Sequence, residues 1–331
     1  VSRYPAPAGL GVPVETAAEV SQLADASYDD VIYLGCRAKT VEELFAKLGP
    51  GGLFNITLCG GKLGRDIVTA VGRVHYSGIR LVGTASSDPA ESMGYIPATG
   101  EIRPGDKINV IGAGGPMGMM HVIRNICQGI EGVSIYAGEL DDNRLAGLTK
   151  IAAPMAEKNA VEYKPYNPTR DKLAETFDYT VLMAPVPELV AAAVRSAAAR
   201  GIINIFAGIP ASVTGDIDLD TYIEKQLYFI GTSGSVLEDM KTVLAKVEAG
   251  RLDTNVSVAA VCGLESAAEG IRAIEGRLIA GKIVVYPGCR GLGLIKLEDL
   301  QKQFPQVAEG LRDGRWNKKA EETLLETCQN S

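Results

Sequence analysis

Apolar runs of four to six residues recur along the chain, separated by Ala- and Glu-rich stretches. Runs of that length without polar alternation are the pattern of strands buried on both faces of a parallel sheet and joined by helical crossovers. After residue 100 they predict strands over Lys107–Ile111, Val133–Ala137, Thr180–Met183, Ile202–Phe206 and Tyr228–Ile230, with a weaker one over Val161–Tyr163. Helices are predicted most clearly over Pro187–Arg200 and Val236–Gly250. That number of strands completes a doubly wound sheet, so the fold class is α/β.

The pattern repeats. "YDDVIYLGCRAKTVEELFAKLGPGGLFNITLCGG" from Tyr28 matches "FDYTVLMAPVPELVAAAVRSAAARGIINIFAGIP" from Phe177. In each, an aromatic-Asp pair opens an apolar run, a helical stretch follows, and a Gly-apolar-apolar-Asn-Ile strand comes 24 positions after the aromatic. "IRLVGTASSDPAESM" then echoes "LYFIGTSGSVLEDM", at the same offset of 148 or 149 residues. Internal self-similarity of this kind signals a duplicated supersecondary unit. The earlier copy supplies only the last three strands of the sheet, over Val31–Leu34, Leu53–Thr57 and Ile79–Val82. The expected organisation is a partial repeat over 1–98, a complete nucleotide-binding-type domain over 99–250, and a C-terminal segment over 251–331 that returns to the substrate region.

Between the first strand and first helix of the complete copy lies "IGAGGPMGMMHV". Strand, glycines and helix in that order aim backbone N–H groups and a helix dipole at a diphosphate, the Rossmann arrangement. Two spacings compete: Gly112, Gly114 and Gly118 exceed G-x-G-x-x-G by one, whereas Ala113, Gly115 and Gly118 keep it with alanine first. The second is preferred. Glu139 follows 21 residues after Gly118, where an acid accepts the adenosine ribose hydroxyls and repels a 2′-phosphate. NAD is therefore expected over NADP, with Asp141 and Arg144 close enough to complicate the choice. The competing reading is a tight strand-helix turn that holds no ligand.

Composition narrows the partners. In 331 residues, 40 acidic side chains outweigh 33 basic ones, giving a formal net charge of -7. Neither a nucleic-acid nor a membrane partner is expected. The six cysteines are scattered, with no C-x-x-C and none beside His75 or His121, which argues against a disulfide lattice or a zinc knuckle. No apolar run approaches a membrane span, and a reducing cytoplasm is the default location. The chain begins at Val1, consistent with processing or with a piece of a longer product.

The stretches "EIRPGDKINVIGAGGPMGMMHV", "ELDDNRL", "IFAGIP", "FIGTSGSVLEDM", "GLESAAEGIRAIEGRLIAGKIVVYPG" and "WNKKAEETLLE" resemble the medium-chain alcohol dehydrogenase/reductase superfamily. Within it they are most similar to the sorbose-1-phosphate reductase group. The resemblance implies a nicotinamide cofactor and a polyol or sugar (phosphate) substrate. It implies cofactor contacts at Ala113, Gly114, Gly115, Pro116, Met117, Gly118, Glu139 and Arg144. Past the later strands it implies further contacts at Ala184, Pro185 and Val186, at Ala207 and Gly208, and at Thr232 and Ser233. It also implies homo-oligomers built by edge-to-edge sheet pairing, which a covalent duplication could mimic within one chain. The family's catalytic zinc needs Cys, His and Cys or Glu ligands from a preceding barrel-like domain that is absent from this sequence. This chain alone is therefore not expected to be a competent zinc dehydrogenase, and a non-catalytic nucleotide-binding or assembly module is the alternative.

The remaining chemistry-bearing residues have structural readings. His121 and His75 read as packed or hydrogen-bonded residues, Cys59 as a buried thiol, and the recurring Asn55 and Asn204 as strand-end hydrogen-bonders. Glu91 lacks partners for a metal. No residue is singled out as catalytic acid or base.

Overall fold

The computed structural model describes residues 11, 13–231, 233–276 and 278–329. In chain order its strands are β1 (Tyr28–Leu34), β2 (Leu48–Thr57), β3 (Ile67–Thr69), β4 (Arg80–Thr84), β5 (Lys107–Ile111), β6 (Ser134–Gly138) and β7 (Glu162–Tyr166). They continue as β8 (Phe177–Leu182), β9 (Ala197–Ile205), β10 (Gly215–Ile217), β11 (Tyr228–Ile230), β12 (Val258–Gly263), β13 (Lys282–Tyr286) and β14 (Ile295–Lys296). The α/β expectation holds: a six-stranded sheet runs β11-β9-β8-β5-β6-β7. Its crossovers include helices Pro116–Cys127, Asp142–Lys158, Pro187–Ser196 and Leu219–Glu224.

The chain divides into two compact units. One comprises everything up to Ile111 together with Leu173–Ser235; the other comprises Gly112–Lys172 and Val236–Ser331. These boundaries do not coincide with the segments drawn from the sequence.

In the first unit the earlier copy forms a three-stranded parallel sheet, β1-β2-β4, matching β8-β9-β11 of the later copy. Both copies carry the same irregularity. The register shifts between Tyr28 and Asp30 in one and between Phe177 and Tyr179 in the other. The opposing strand turns through a positive φ at Gly51 (72°) and at Arg200 (59°). The next residue is glycine in each because the bulge brings carbonyls inward: a Cβ on Gly52 would lie 2.9 Å from the Gly49 carbonyl oxygen, and one on Gly201 2.9 Å from that of Ala198. The bulge also explains a departure from the expected helix over 187–200. That helix stops at Ser196, and Ala197–Arg200 open β9 instead.

The two copies meet through equivalent residues. β3 and β10 lie 148 positions apart in the repeat and pair with each other antiparallel, Ile67 opposite Ile217, Val68 opposite Asp216 and Thr69 opposite Gly215. Gly83 receives the Ile223 side chain against the Ile56 carbonyl, while its counterpart Gly231 receives the His75 backbone against the Ile205 carbonyl. Such reciprocity is the signature of a two-fold contact between identical units. The edge strands β4 and β11 do not form a ladder. The fully buried Tyr222 hydroxyl stands between them, donating to the Leu81 carbonyl (2.9 Å) and accepting from the Phe229 N–H (3.1 Å). The Tyr95 hydroxyl accepts the Gly83 N–H (2.7 Å) and donates to the Gly83 carbonyl (3.0 Å). Two phenols thus satisfy the exposed edge of β4, which would otherwise template pairing with another chain.

In the second unit the C-terminal segment builds its own sheet, β13-β12-β14. Its core gathers Val261, Tyr286, Leu292, Ile295, Trp316 and Leu324. A disulfide joins Cys289 to Cys328, with Cα atoms 5.0 Å apart. The sequence reading argued only against a disulfide lattice and did not foresee this single bridge: 39 residues separate the two in sequence, and the fold brings the final helix, Lys318–Gln329, back to the loop after β13. Cys36, Cys59, Cys127 and Cys262 are free.

Candidate functional site

The glycine turn belongs to the second unit. Gly112 follows β5 with φ 85°, open to glycine at little cost. The Gly112 and Ala113 N–H groups both donate to the Gly138 carbonyl at the end of β6 (2.9 Å each), which fixes the turn against the neighbouring strand. Ala113 is fully buried. The helix starts at Pro116 with Gly115 as its N-cap and no side chain capping it. Proline at the first helical position forfeits an N–H that has no intrahelical partner anyway, and the remaining first-turn donors have no capping side chain.

The places where only glycine fits are Gly112, Gly114 and Gly118. A Cβ on Gly118 would stand 2.2 Å from the Gly112 carbonyl oxygen and 2.7 Å from the Ala113 Cα. One on Gly114 would meet the Glu139 carboxylate at 2.6 Å and the Arg144 Cβ at 2.8 Å. A Cβ on Gly115 would find nothing nearer than 3.8 Å. The stereochemical need for glycine therefore follows the longer spacing, not the preferred one that begins at Ala113. Gly112 serves the turn, Gly114 leaves room for Glu139 and Arg144, and Gly118 allows the helix to pack on the turn.

Glu139 stands directly after β6, buried, with its carboxylate turned onto the turn. It accepts the N–H groups of Gly114 (2.9 Å), Leu140 (2.9 Å) and Asp141 (3.2 Å). Asp141 is the N-cap of helix Asp142–Lys158, its side chain accepting from the Asn143 and Arg144 N–H groups. Arg144 is half-buried on the first turn of that helix, its Cβ against Gly114. After β7, Asn167 donates to the Leu140 carbonyl and to Asp142 (2.9 Å each), and Arg170 pairs with Asp142 at 2.8 Å. The sequence reading missed this polar bracket around the Glu139 loop. "NPTRD", an Asn-Pro turn with charges behind it, was the available signal. Pro116 and Met117 also wall an open apolar groove of about 510 Å³ shared with Gly270, Ile271, Ile274 and Val285.

The residues expected to follow the later strands lie in the first unit. Ala184–Val186 come immediately after β8, where the Met183 N–H donates to the Ile111 carbonyl, and Val186 is the N-cap of helix Pro187–Ser196. Ala207 and Gly208 follow β9, the Ala207 N–H donating to the Leu182 carbonyl. Gly208 has the Tyr76 hydroxyl 2.7 Å from the site of a Cβ. Ser233 follows β11, and Thr232 lies outside the described residues.

His75 is buried in helix Val71–Ser77, its Nδ1 at 3.1 Å from the Ile205 carbonyl and its ring edge-on to Tyr76. His121 sits on the helix after the turn, its pKa pushed down to about 4, first by burial and then by Arg124. Cys59 corrects the buried-thiol expectation: it is exposed, in the left-handed region at φ 52°. Asn55 and Asn204 do form side-chain hydrogen bonds, to the Pro89 carbonyl (2.9 Å) and the Tyr179 hydroxyl (3.4 Å). The Glu91 carboxylate accepts from the Thr84 hydroxyl at 3.3 Å. Among the described residues no group of three His, Cys, Asp or Glu side chains lies together as a metal site, and no helix is long and apolar enough to cross a membrane.

No family model matches the chain. It is similar to the uncharacterized protein YggP of Escherichia coli (strain K12), 27% identical over 245 residues, covering 68% of this chain and 57% of that one. It is also similar to the L-sorbose 1-phosphate reductase of Klebsiella pneumoniae, 24% identical over 235 residues, covering 68% of this chain and 56% of that one. The chain thus spans a little over half the length of these curated relatives. Among solved structures it resembles 2R,3R-butanediol dehydrogenase from Bacillus subtilis (21% identity, TM-score 0.46, 56% of this chain and 52% of that one). It also resembles alcohol dehydrogenase TADH from Thermus sp. ATN1 (21% identity, TM-score 0.45, 56% and 54%).

Proposed function

For a chain that resembles the sorbose-1-phosphate reductase group of the medium-chain alcohol dehydrogenases, we propose a role as the cofactor-binding part of an NAD(H)-dependent oxidoreductase of polyols or sugar phosphates. The observation that carries this reading is the turn itself: an uncapped helix N-terminus, a glycine at 114 whose missing Cβ leaves room beside a buried acid, and that acid, Glu139, at the end of the next strand.

The donors around Gly115, Met117 and Gly118 would hold the diphosphate, and Glu139 the adenosine ribose hydroxyls. Rotating the carboxylate off Gly114 exchanges a backbone donor for ribose hydroxyl donors, so its hydrogen bonding is conserved. A negative Glu139 disfavours the 2′-phosphate of NADP, and Arg144 is the residue through which that preference could be relaxed. Ala184–Val186 are proposed to flank the adenine-side ribose and the nicotinamide entrance, and Ala207–Gly208 and Thr232–Ser233 are proposed as further cofactor contacts. When bound, the nicotinamide accepts or donates the hydride; the protein's part is binding, orientation and exclusion of water. The family's zinc has no fitting ligand set among the described residues. The reciprocal packing of the two copies in the first unit supports reading the duplication as an internal counterpart of a subunit pair.

NADH fluorescence separates this reading from its alternatives. Enhancement on titration, stronger for NADH than for NADPH, is expected. Turnover of a polyol or sugar phosphate by the whole gene product favours the dehydrogenase, binding without turnover by that product favours a nucleotide-binding or assembly module, and absence of binding at millimolar NADH removes the proposal.

A further inference from the structure

Resting on the reading of Ala207 and Gly208 as cofactor contacts, we propose that Tyr76, a residue of the earlier copy, hydrogen-bonds the nicotinamide carboxamide at the carboxyl end of β9 in the later copy. All the residues involved belong to the first unit.

Helix Val71–Ser77 reaches that strand end because Gly72 lets it. A Cβ on Gly72 would overlap the Pro210 carbonyl, and the Gly72 N–H donates to the Val213 carbonyl (3.2 Å). One turn on, His75 and Tyr76 come to the ends of β9 and β11. Since a carbonyl only accepts, the His75 Nδ1–H donates to Ile205 (3.1 Å), and the His75 backbone lies against Gly231. The His75 ring meets Tyr76 nearly perpendicular, 85° between planes and 4.7 Å between centroids, which fixes the direction of the phenol. Its hydroxyl arrives at Gly208, 2.7 Å from where a Cβ would be, and glycine leaves it unobstructed there. Tyr76 is half-exposed, and among the described residues its hydroxyl makes no hydrogen bond.

The other side of the pseudo-two-fold carries the matching strand end. An open cleft of about 530 Å³ lies at the ends of β2 and β4, walled by Leu58, Gly61 and Thr84 of the earlier copy and by Ile223 and Glu224 of the later one. Ile223 and Glu224 are the repeat counterparts of His75 and Tyr76, 148 positions on. Each copy thus lends the helix before its last strand to the strand ends of the other, where ligands of doubly wound sheets bind. The later copy's strand ends receive an imidazole and a phenol; the earlier copy's receive an aliphatic side chain and a carboxylate. A phenol hydroxyl both donates and accepts, as the oxygen and amino group of a primary carboxamide require, whereas a carboxylate only accepts.

Calorimetric titration of the whole chain with NADH and with ADP-ribose, which lacks the nicotinamide, tests this. Tyr76→Phe removes only the half-exposed hydroxyl and should weaken NADH about three- to tenfold. Tyr76→Ala removes the ring as well and should weaken NADH further. Tyr76→Phe should bind ADP-ribose as the wild type does. NADH affinity unchanged by Tyr76→Phe, or lowered only in step with that for ADP-ribose, would overturn the proposal while leaving the cofactor reading in place. Absence of ADP-ribose binding to the wild type would remove that reading, and this proposal with it.

Discussion

Three glycine-to-alanine substitutions in one turn should have three different outcomes. In Gly118→Ala the new methyl meets backbone at 2.2 Å and 2.7 Å, atoms that cannot swing aside, so the helix must move off the strand. Alanine's helical preference returns about 1 kcal/mol, but overpacking against fixed backbone costs more, for a net loss of about 2–3 kcal/mol. For a domain of this size that is a fall in Tm of roughly 4–12 °C. The displaced donors should also lose the dinucleotide. In Gly114→Ala the obstacles are the Glu139 carboxylate at 2.6 Å and the Arg144 Cβ. The carboxylate can rotate but leaves the Gly114 N–H without its acceptor, at about 1–2 kcal/mol, with NADH binding weakened more than stability. Gly115→Ala meets nothing within 3.8 Å, at φ -76° that any residue adopts, and should fold as the wild type does. Differential scanning calorimetry paired with NADH titration reads all three. A Gly118→Ala protein as stable as wild type, or a Gly115→Ala protein as damaged as Gly118→Ala, would refute the assignment of glycine roles.

Three further outcomes follow. His121 has its folded pKa near 4 against an ordinary 6.5, so the unfolded chain binds more protons between those values; stability is fully present above about pH 6.5 and is lost as pH falls towards 4, by up to about 3 kcal/mol. His121→Gln should flatten that part of the urea-denaturation pH profile, and an unchanged profile would contradict the burial argument. Reducing the Cys289–Cys328 bridge reopens a loop of 39 residues and should cost up to about 4 kcal/mol. The Tm of Cys328→Ser should then match that of the wild type in dithiothreitol and lie below that of the untreated protein. Tyr222→Phe strands the Leu81 carbonyl and the Phe229 N–H in the core and should cost about 2–3 kcal/mol in chemical denaturation, whereas a neutral result would mean the two edges close on each other without it.

The duplication was legible because the bulge imposes identity: an aromatic-Asp opening and a glycine 24 residues on recur where the backbone needs them. The sheet's strands were legible from continuous apolar runs. Contacts between the copies were not. β3 and β10 are three residues each, too short for any periodicity, and Tyr95 and Tyr222 act through single hydroxyls. Ala197–Arg200 read as helix on propensity, and strand pairing overrode it. At the turn the motif's spacing pointed to Ala113, Gly115 and Gly118, whereas the structure needs glycine at 112 and 114, a distinction that depends on the Gly112 dihedral and on the space taken by Glu139 and Arg144 beside Gly114, not on spacing. The pairing of Cys289 with Cys328 depends on where the last helix returns, which no local pattern encodes.

The central claim is that the Gly112–Gly118 turn holds a diphosphate while Glu139 reads the ribose behind it. Calorimetric titration with ADP-ribose, which carries both groups and no nicotinamide, tests that pocket alone. The account predicts one site on the wild type and affinity at least tenfold weaker for Glu139→Ala. No heat of binding at millimolar ADP-ribose, or equal affinity in the two proteins, would contradict it.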